Sequence, residues 1–543
     1  MSRFFNNAGP NIPEINYTLD PFTRVDWPEI QTLVGGMRYF VLHAPRQSGK
    51  TTLLMTIVKR LNAEGNYAAL YVNVETAQVT RNNFMDANRT IASRLVDMGK
   101  HFLPYSWLAR EGRDFASGCD PATKVSQLLS AWANNSELPI VLMIDEIDSL
   151  VGDTLISVLR QLRDGYGLRP GSFPQSVILC GVRDVRDYRI LSSSGEIISG
   201  GSCFNVKAES LRIGNFSEDD VRELYCQYTL ETGQKFEESV FPRVMSVTGG
   251  QPWLVNALAA EITRKIPELQ DRSLSIGVRH VDEAKERLIL RKDTHLDQLA
   301  DKLTEERVHR VIGPIVAGET WSTAIQPDDL QYVIDLGLVV RCGADGLQMA
   351  NEIYREVIPR ELTDTMLANF QSTVRHNAFL LPDGRLDLRK MLAGFQHFYR
   401  ENGDALGHEG QYNEAMPHLL LQAWLQRAVN GGGYIVRDYA LGTGRVDLFV
   451  RYFYKQHGKH AEQRFVVETK MVRVKRSLET TIAEGLQQTA WYADKCDPEQ
   501  AHLVVINPNE LPWDDKVFVQ EHKVDACSGE FAHGEQTITV WGM

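Results

Sequence analysis

The chain has 543 residues, several times the ~150 residues of a usual domain, so we expect several packed units rather than one core. Hydrophobic residues make up 43% and charged residues 24%, which excludes a collagen-like, low-complexity or wholly disordered chain. The 58 basic and 70 acidic residues give a net charge of −12. A bound polyanion would therefore need a local basic patch, and a histone-like role is excluded.

The cysteines and the apolar residues indicate where the protein resides. The seven cysteines are scattered and form no CxxC pair, so neither a disulfide framework nor a zinc ribbon is predicted. The N-terminal segment lacks the apolar stretch of a secretory signal, and no run of about 18 apolar residues occurs. We expect a cytoplasmic protein with no membrane partner.

The first part of the chain alternates short apolar runs with helix-period stretches. The apolar runs are RYFVLHA, AALYVNV, PIVLMID and SVILCG. Buried runs separated by helices are typical of a parallel sheet that is covered on both faces. We therefore predict an α/β core over residues 1–210.

The rest of the chain divides by pattern into four more segments. Residues 211–280 have helical spacing with a charged helix start at Ser217, which predicts a helical subdomain. Residues 281–365 read as helices followed by two β-prone runs around Gly343–Gly346, which predicts a winged helix. Residues 366–407 are predicted to be a connecting helical segment. Residues 408–543 read as helix, strand, strand, helix, strand, which predicts a second α/β domain.

A phosphate-binding loop is predicted between the strand RYFVLHA and a helical stretch. The loop consists, in order, of Pro45, Arg46, Gln47, Ser48, Gly49, Lys50, Thr51 and Thr52. Backbone amides at such a helix start surround phosphate oxygens, Lys50 supplies a positive charge, and the Thr51 hydroxyl can bind Mg²⁺. The alternative is a chance occurrence of the GK[ST] string, but the flanking strand and helix favour nucleotide binding.

Two acids stand at the end of the strand PIVLMID. Asp145 and Glu146 should emerge at the carboxyl edge of the sheet, where ligands bind in open α/β folds. We expect Asp145 to hold Mg²⁺ through water and Glu146 to act as the base that orients the attacking water. Alternatively, the two acids are surface residues that cap the following helix.

Two further segments complete a resemblance to a known family. The strand SVILCG ends in Val182–Asp184, and Gly249–Trp253 stands at the head of a later helical stretch. Together with the loop and the acids, they resemble the STAND branch of the AAA+ ATPases and its archaeal-type relatives. The resemblance implies that ATP is bound, that Arg183 senses the γ-phosphate, and that Gln251 and Pro252 contact the nucleotide.

The match to this family has one departure and two open alternatives. Ala44 replaces the first glycine of the loop, which fits only if this residue keeps a negative φ. Arg183 could instead form a surface salt bridge with Asp184 or Asp187. The Gly250–Pro252 segment could simply begin a helix, since proline is favoured in the first turn.

A second set of acids lies near the C-terminus. Asp447 follows a glycine turn at the start of the apolar run LFV, and Glu468 and Lys470 stand two apart in RFVVETK. Two-residue spacing on a strand places both side chains on one face. If the strands are antiparallel neighbours, Asp447 and Glu468 converge and can hold Mg²⁺, while Lys470 positions a water near a phosphorus centre.

This pattern resembles the PD-(D/E)XK nuclease superfamily. The preceding helical stretch carries Glu414, where many members have a helical acid, and a later one carries Gln488 and Tyr492 in a QxxxY spacing. The resemblance implies catalytic roles for Asp447, Glu468, Lys470, Glu414 and Gln488, with Mg²⁺ or Mn²⁺ at the site. Charged strand edges alone are a common alternative, because they guard against aggregation.

Basic residues near this motif point to a nucleic acid. Lys470, Arg473, Lys475 and Arg476 form a local basic edge suited to a phosphate backbone, and a solvated charged loop is the alternative. Arg445 either contacts a phosphate or pairs with an acid such as Asp438.

The leading hypothesis is an ATP-controlled, metal-dependent DNA nuclease, with RNA left open as a substrate. STAND proteins are generally switches, so the resemblance implies a triggered effector in defence against foreign DNA, with an unassigned trigger and a possible homo-oligomeric state. The competing hypothesis is a regulatory or scaffold NTPase whose nuclease-like domain binds nucleic acid or a partner without cutting. An ATP-driven translocase that cuts as it moves is the third, and no helicase-type motif series supports it.

Overall fold

The computed structural model describes most of the chain, in two compact units. The described residues are 3–184, 188–191, 196–291, 302–303, 305–316, 326–342, 346–358, 379–408, 416–429, 433–441, 444–456, 459–472, 477–507, 511–528 and 531–543. Unit 1 comprises Met1–His295, Gln326–Val340 and Met349–Ile353, and unit 2 comprises Leu296–Ile325, Arg341–Gln348 and Tyr354–Met543.

Unit 1 is built on a five-stranded sheet in the order β2-β3-β4-β1-β7, in which every pair of neighbours is parallel. Its strands are β1 (Tyr39–His43), β2 (Ala68–Asn73), β3 (Ile140–Asp145), β4 (Ser176–Gly181) and β7 (Lys207–Arg212). A separate antiparallel pair is formed by β5 (Arg189–Leu191) and β6 (Ile197–Ser199). The predicted α/β fold with a parallel sheet is confirmed for this unit.

Strand β7 is the one strand of this sheet that the sequence pattern did not predict. It reads KAESLR and is half-exposed at the edge of the sheet beside β1. An edge strand needs no continuous apolar run, because only part of its surface is buried. Its polar sequence therefore carries little periodic signal.

Helices cover both faces of the sheet. They are α1 (Trp27–Gly35), α2 (Lys50–Glu64), α3 (Phe84–Phe102), α4 (Trp107–Arg110), α5 (Gly112–Gly118), α6 (Lys124–Asn134), α7 (Gly152–Asp164) and α8 (Gly200–Cys203). Leu142 and Ile144 of β3 face one apolar core, whereas Val141 and Met143 face another. This alternation buries both faces of the strand, as the apolar run predicts.

A helical region follows the sheet in unit 1. It contains α9 (Glu218–Thr232), α10 (Val240–Thr248), α11 (Pro252–Lys265) and α12 (Val278–Arg291). The predicted helix start is present, because the Ser217 hydroxyl accepts a bond from the amide of Asp220, whose carboxylate accepts one from the Ser217 amide. Such a capping box satisfies two amides that a helix start otherwise leaves unpaired.

Beyond α12 come α13 (Glu306–Val316), α14 (Pro327–Asp335) and a two-stranded sheet of β8 (Val339–Cys342) and β9 (Gly346–Met349). Helices followed by two paired strands are the order predicted for a winged helix. That assignment, like the five segment boundaries, stays a prediction.

Unit 2 contains a six-stranded mixed sheet in the order β10-β11-β12-β13-β15-β14. Its elements are α15 (Leu388–His408), α16 (Met416–Val429), β10 (Gly433–Leu441), β11 (Gly444–Gln456), β12 (Lys459–Met471), α17 (Leu478–Cys496), β13 (Gln500–Ile506), α18 (Trp513–Lys516), β14 (Phe518–Ser528) and β15 (Phe531–Gly542). Strands β11 and β12 are antiparallel, whereas β12–β13 and β13–β15 are parallel.

The sheet of unit 2 is larger than the sequence pattern predicted. The structure adds β10 before the predicted strands and the antiparallel pair β14–β15 after them. Helix α15 also contacts this sheet, because the Gln396 amide donates to the carbonyls of Phe518 and Gly542. Among the described helices of the chain, none is long and apolar enough to cross a bilayer.

Candidate functional site

The loop between β1 and α2 has the backbone of an anion-binding turn. Gln47 and Gly49 have positive φ values of 55° and 81°, and Gly49 is the N-cap of α2. Left-handed residues in such a turn direct successive amides to one side, where they join the unpaired amides of the helix start. Ala44 is buried and is not among the residues with positive φ, so alanine fits at this position.

Lys50, Thr51 and Asp145 meet at this loop. The buried Lys50 ammonium donates to the carbonyls of Ala44 and Pro45 at 3.1 and 3.0 Å. The Thr51 hydroxyl donates to Oδ2 of Asp145 at 2.7 Å. The sheet thus brings the predicted lysine, hydroxyl and carboxylate to one edge.

Tyr71 is a member of this site that the sequence reasoning missed. Its hydroxyl donates to Oδ2 of Asp145 at 3.0 Å from the neighbouring strand β2. Burial and the charge of Asp145 raise the pKa of Tyr71, so the phenol remains a donor. No sequence pattern indicated this contact, because the pairing of Asn73 with Asp145 that brings Tyr71 near the acid arises only in the folded sheet.

Glu146 follows Asp145 in a left-handed conformation with φ of 56°. Positive φ is uncommon for a residue with a side chain, and such strained positions cluster at functional sites. Burial raises the pKa of its carboxyl, as do the charges of Asp148 and Asp145, while Lys50 opposes the shift. A raised pKa suits a carboxylate that accepts a proton from water.

A cleft of about 270 Å³ opens beside the loop and is lined by Gly49, Lys50, Thr51, Thr52, Glu146 and Pro252 among others. The N-terminal stretch 6–11 also lines it, and the sequence reasoning gave this stretch no role. The Trp253 indole donates to the carbonyl of Asn7 at 2.7 Å, and the Asn11 amide donates to the Thr52 hydroxyl at 3.3 Å. These contacts hold the stretch against both α11 and α2.

Arg24 is a second cleft residue that was missed. Its guanidinium lies over the Phe216 ring at 5.1 Å and donates to the Gly214 carbonyl at 2.8 and 2.6 Å. Its Nη1 atom lies 3.2 Å from the position that a Cβ on Gly49 would take. Burial lowers the pKa of Arg24 to about 10, which still leaves it charged near neutral pH. It adds a positive charge beside the phosphate loop.

The segment before α11 contacts the loop directly. The Gln251 carboxamide oxygen accepts from the Leu254 amide at 2.6 Å, and its nitrogen donates to the carbonyls of Arg46 and Gln47 at 3.4 Å each. Gln251 therefore caps the helix and contacts the loop at once. Pro252 occupies the first helical position and lines the cleft.

Arg183 follows β4 at the carboxyl edge of the sheet. Its guanidinium stacks on the rings of Tyr188 and Tyr332 at 4.9 and 4.7 Å. The salt bridge considered as its alternative is not formed with Asp184, which pairs with Lys207 in the buried interior. Asp187 lies outside the described residues. A γ-phosphate contact by Arg183 stays a prediction.

The predicted acids of unit 2 lie opposite each other on neighbouring strands. Strands β11 and β12 are antiparallel neighbours with Leu448 opposite Val467, one position from the two acids. The Asp447 amide donates to Oε2 of Glu468 at 3.4 Å. Glu468 is fully buried, and the Lys470 ammonium donates to its Oε1 at 3.0 Å.

Charge is concentrated at this site. Burial, and then the charge of Asp447, raise the pKa of Glu468 to about 8. Burial alone would lower the pKa of Lys470, but the charge of Glu468 and the bond between them raise it, so the ammonium stays protonated. When Glu468 is ionised, its carboxylate and that of Asp447 outweigh the single ammonium, and a bound cation would favour this ionised form.

Helix α17 approaches the site closely at Gly485. A Cβ at this position would lie 2.7 Å from a Leu503 methyl and 3.2 Å from Cγ of Lys470, so a larger residue would require these side chains to shift. On the same helix Gln488 donates to the Tyr492 hydroxyl at 2.8 Å, as the four-residue spacing predicts. Glu414, Arg473, Lys475 and Arg476 lie outside the described residues.

The donor sets fit hard divalent cations at both places. Mg²⁺ prefers a few hydroxyl or carboxylate oxygens and keeps several waters, which suits Thr51 with Asp145 and Asp447 with Glu468. Within the described ranges no group of three or more His, Cys, Asp or Glu side chains is gathered for a metal.

Comparisons with known proteins find one matching family model and several similar solved structures. The family model of the nephrocystin 3 N-terminal region matches residues 26–168. The Walker-type ATPase of Pyrococcus abyssi is similar at 14% identity and TM-score 0.44, over 65% of this chain and 99% of that one. Cdc6p of Pyrobaculum aerophilum is similar at 13% identity and TM-score 0.35, over 62% of this chain and 93% of that one. A RuvB variant of Thermotoga maritima is similar at 13% identity and TM-score 0.32, over 65% of this chain and 96% of that one. The curated proteins give no match.

Proposed function

We propose that unit 1 binds ATP and hydrolyses it with Mg²⁺. The observation that carries the proposal is the meeting of Lys50, Thr51 and Asp145 at a loop that lines a cleft. The helix start would hold phosphate oxygens and Lys50 would neutralise part of their charge. Thr51 and Asp145 would hold Mg²⁺, which supplies further charge neutralisation to the transferred phosphoryl group.

Glu146 then serves as the base of this reaction. Its carboxylate accepts a proton from the water whose oxygen attacks the γ-phosphorus, and the bond to the β-phosphate oxygen breaks to leave ADP and phosphate. Its raised pKa, caused first by burial, brings its basicity closer to neutral pH.

We also propose that unit 2 cuts DNA, with RNA as the other candidate substrate. The observation that carries this step is the convergence of Asp447, Glu468 and Lys470 on two neighbouring strands. The two carboxylates would hold Mg²⁺ or Mn²⁺, which would polarise a phosphodiester. Lys470 orients the attacking water and stabilises charge on the phosphate oxygens.

Together the two units form a nucleotide-controlled nuclease. The resemblance to STAND ATPases favours a switch that an unassigned trigger activates, acting in the cytoplasm in defence against foreign DNA. Cys119, Cys180, Cys203, Cys226, Cys342 and Cys496 are free thiols, which is consistent with a reducing compartment.

A second candidate function is a regulatory or scaffold NTPase whose unit 2 binds nucleic acid or a partner without cutting. One observation favours it: in the described part of the chain only two candidate ligands, Asp447 and Glu468, come together at the acidic site, and no group of three is gathered. Cutting assays separate this candidate from the nuclease.

The ATPase is tested by nucleotide binding and phosphate release in Lys50→Ala. We expect binding to be lost, whereas Lys59→Ala, an exposed lysine on the same helix, should bind as the unaltered protein does. Normal ATP binding by Lys50→Ala would contradict the proposal.

The nuclease is tested with plasmid, linear DNA and RNA in Mg²⁺ or Mn²⁺, with and without ATP. We expect Asp447→Ala and Lys470→Ala each to stop cutting while ATP hydrolysis continues. Nucleic acid binding without cutting under every condition would instead support the second candidate.

A further inference from the structure

We propose that His418 and Thr469 are positioning residues that fix the orientation of the Asp447 carboxylate for a cation. This inference rests on the proposed metal site of unit 2 and extends it to two residues to which the motif assigns no role. It identifies a connection from helix α16 through β12 to the carboxylate at the start of β11.

The contacts form a continuous chain. The Thr469 hydroxyl lies 2.7 Å from Oδ2 of Asp447, and the Thr469 amide donates to the same oxygen at 2.9 Å. On its other side the Thr469 hydroxyl lies 2.7 Å from Nδ1 of His418. Thr469 is 3% exposed, so bulk water competes little for these bonds.

The chemistry of the three groups fixes the direction of the bonds. An ionised carboxylate only accepts hydrogen bonds, so the single hydroxyl proton of Thr469 points to Asp447. The hydroxyl oxygen can then only accept from His418, which must carry its proton on Nδ1. The chain therefore runs from the imidazole N–H to the hydroxyl and from the hydroxyl to the carboxylate.

The alternation of side chains along a strand explains how Thr469 can contact His418 although it stands between two residues of the predicted motif. Glu468 and Lys470 lie on one face of β12, where Cγ of Lys470 approaches Gly485 of α17. Thr469 lies on the other face and contacts His418 of α16. The residue between the motif's acid and its lysine is thereby available to contact a second helix.

Both donors of Thr469 act on one oxygen of Asp447. Within the described residues no hydrogen bond is shown to Oδ1, whereas Oδ2 has two donors. This arrangement holds the carboxylate plane and presents Oδ1 for a cation. Groups that orient a metal ligand typically change metal affinity or activity by about 10–100-fold when removed.

The test is a calorimetric titration of the full chain with Mn²⁺ in the absence of nucleotide. Subtracting the Mn²⁺ binding of Asp447→Ala from that of the unaltered protein gives the Mn²⁺ binding at this site. We expect Thr469→Val, which keeps the shape and removes the hydroxyl, to weaken this binding by about 10–100-fold. Thr469→Ser, which keeps the hydroxyl, should bind nearly as the unaltered protein does.

His418→Leu provides the second variant, since it leaves β12 untouched if Thr469→Val unfolds. We expect weaker Mn²⁺ binding, and a higher Mn²⁺ concentration at half-maximal cutting with the KM for DNA unchanged. A purely structural role would change the stability and the KM instead of this metal dependence.

The outcomes separate this inference from the nuclease proposal. The positioning role alone is overturned if Asp447→Ala abolishes metal binding while Thr469→Val and His418→Leu leave it unchanged. No Mn²⁺ binding that depends on Asp447 overturns both. Loss of binding in Thr469→Ser as severe as in Thr469→Val also contradicts the role of the hydroxyl.

Discussion

The Thr51 hydroxyl donates a 2.7 Å hydrogen bond to the Asp145 carboxylate although the two residues are 94 positions apart. Parallel pairing of β4 with both β1 and β3 brings the helix after β1 and the end of β3 to one edge of the sheet. The fold thus brings a phosphate loop and a carboxylate together although they are far apart in the sequence.

Tyr71 holds the same carboxylate from β2, which leads to the first prediction. In Tyr71→Phe the Asp145 carboxylate loses one donor, so we expect the Mg²⁺ concentration at half-maximal ATPase rate to rise about tenfold. Magnesium-free nucleotide binding should not change. Tyr39→Phe is the matched control, because this buried phenol on β1 bonds to the Pro174 carbonyl instead. An equal shift in both variants would rule out a specific role for Tyr71.

Glu146→Gln should retain ATP and slow its hydrolysis. Loss of a general base typically costs about 10²–10⁴-fold in rate, because the amide cannot take the water proton. Single-turnover phosphate release measures this step, with Glu75→Gln as a control at an exposed acid of the same unit. Unchanged turnover would leave Glu146 a structural role only.

Gly250→Ala should displace the segment that contacts the phosphate loop. Gly250 has φ of +68°, and a Cβ there would lie 2.1 Å from the Phe216 carbonyl oxygen. Strain at positive φ costs about 1–3 kcal/mol, and the contact with Phe216 adds to it. Gly233→Ala is the control, because its φ is +79° with open space around the new atom. Thermal unfolding and ATP affinity should both fall further in Gly250→Ala than in Gly233→Ala.

His502 makes the stability of unit 2 depend on pH. Burial lowers its pKa to about 3, and the Trp541 indole donates to its Nδ1 at 3.3 Å, which fits a neutral ring. As the pH falls below about 6.5, His502 is protonated in the unfolded chain before it is protonated in the folded one. Above that pH its titration therefore does not lower the free energy of unfolding. Stability should then decrease by up to about 1.4 kcal/mol per pH unit down to about pH 3.

Urea unfolding near neutral pH and in mild acid measures this dependence. His502→Asn removes the titrating group and should reduce the pH slope, whereas His522→Asn, on strand β14, should leave it unchanged. A slope that survives in His502→Asn would assign the acid sensitivity to other groups.

Sequence patterns alone predict those parts of the two sites whose residues are contiguous in the chain. A buried apolar run followed by Pro45–Thr52 predicts strand, loop and helix, because the periodicity and the loop chemistry lie within one short stretch. The same holds for Asp145 with Glu146 and for Glu468 with Lys470, whose spacing on a strand fixes a common face.

Strand order and helix packing determine which distant side chains contact these contiguous parts. Tyr71, Arg24 and the stretch 6–11 reach the nucleotide cleft, and His418 reaches Thr469, through strand order and helix packing. A lone tyrosine, arginine or histidine far along the chain carries no periodic or spacing signal, because its role depends on register and packing that arise only when the sheet forms. The sequence pattern also did not predict β7. This half-exposed edge strand forms by pairing with β1 and has no apolar run of its own.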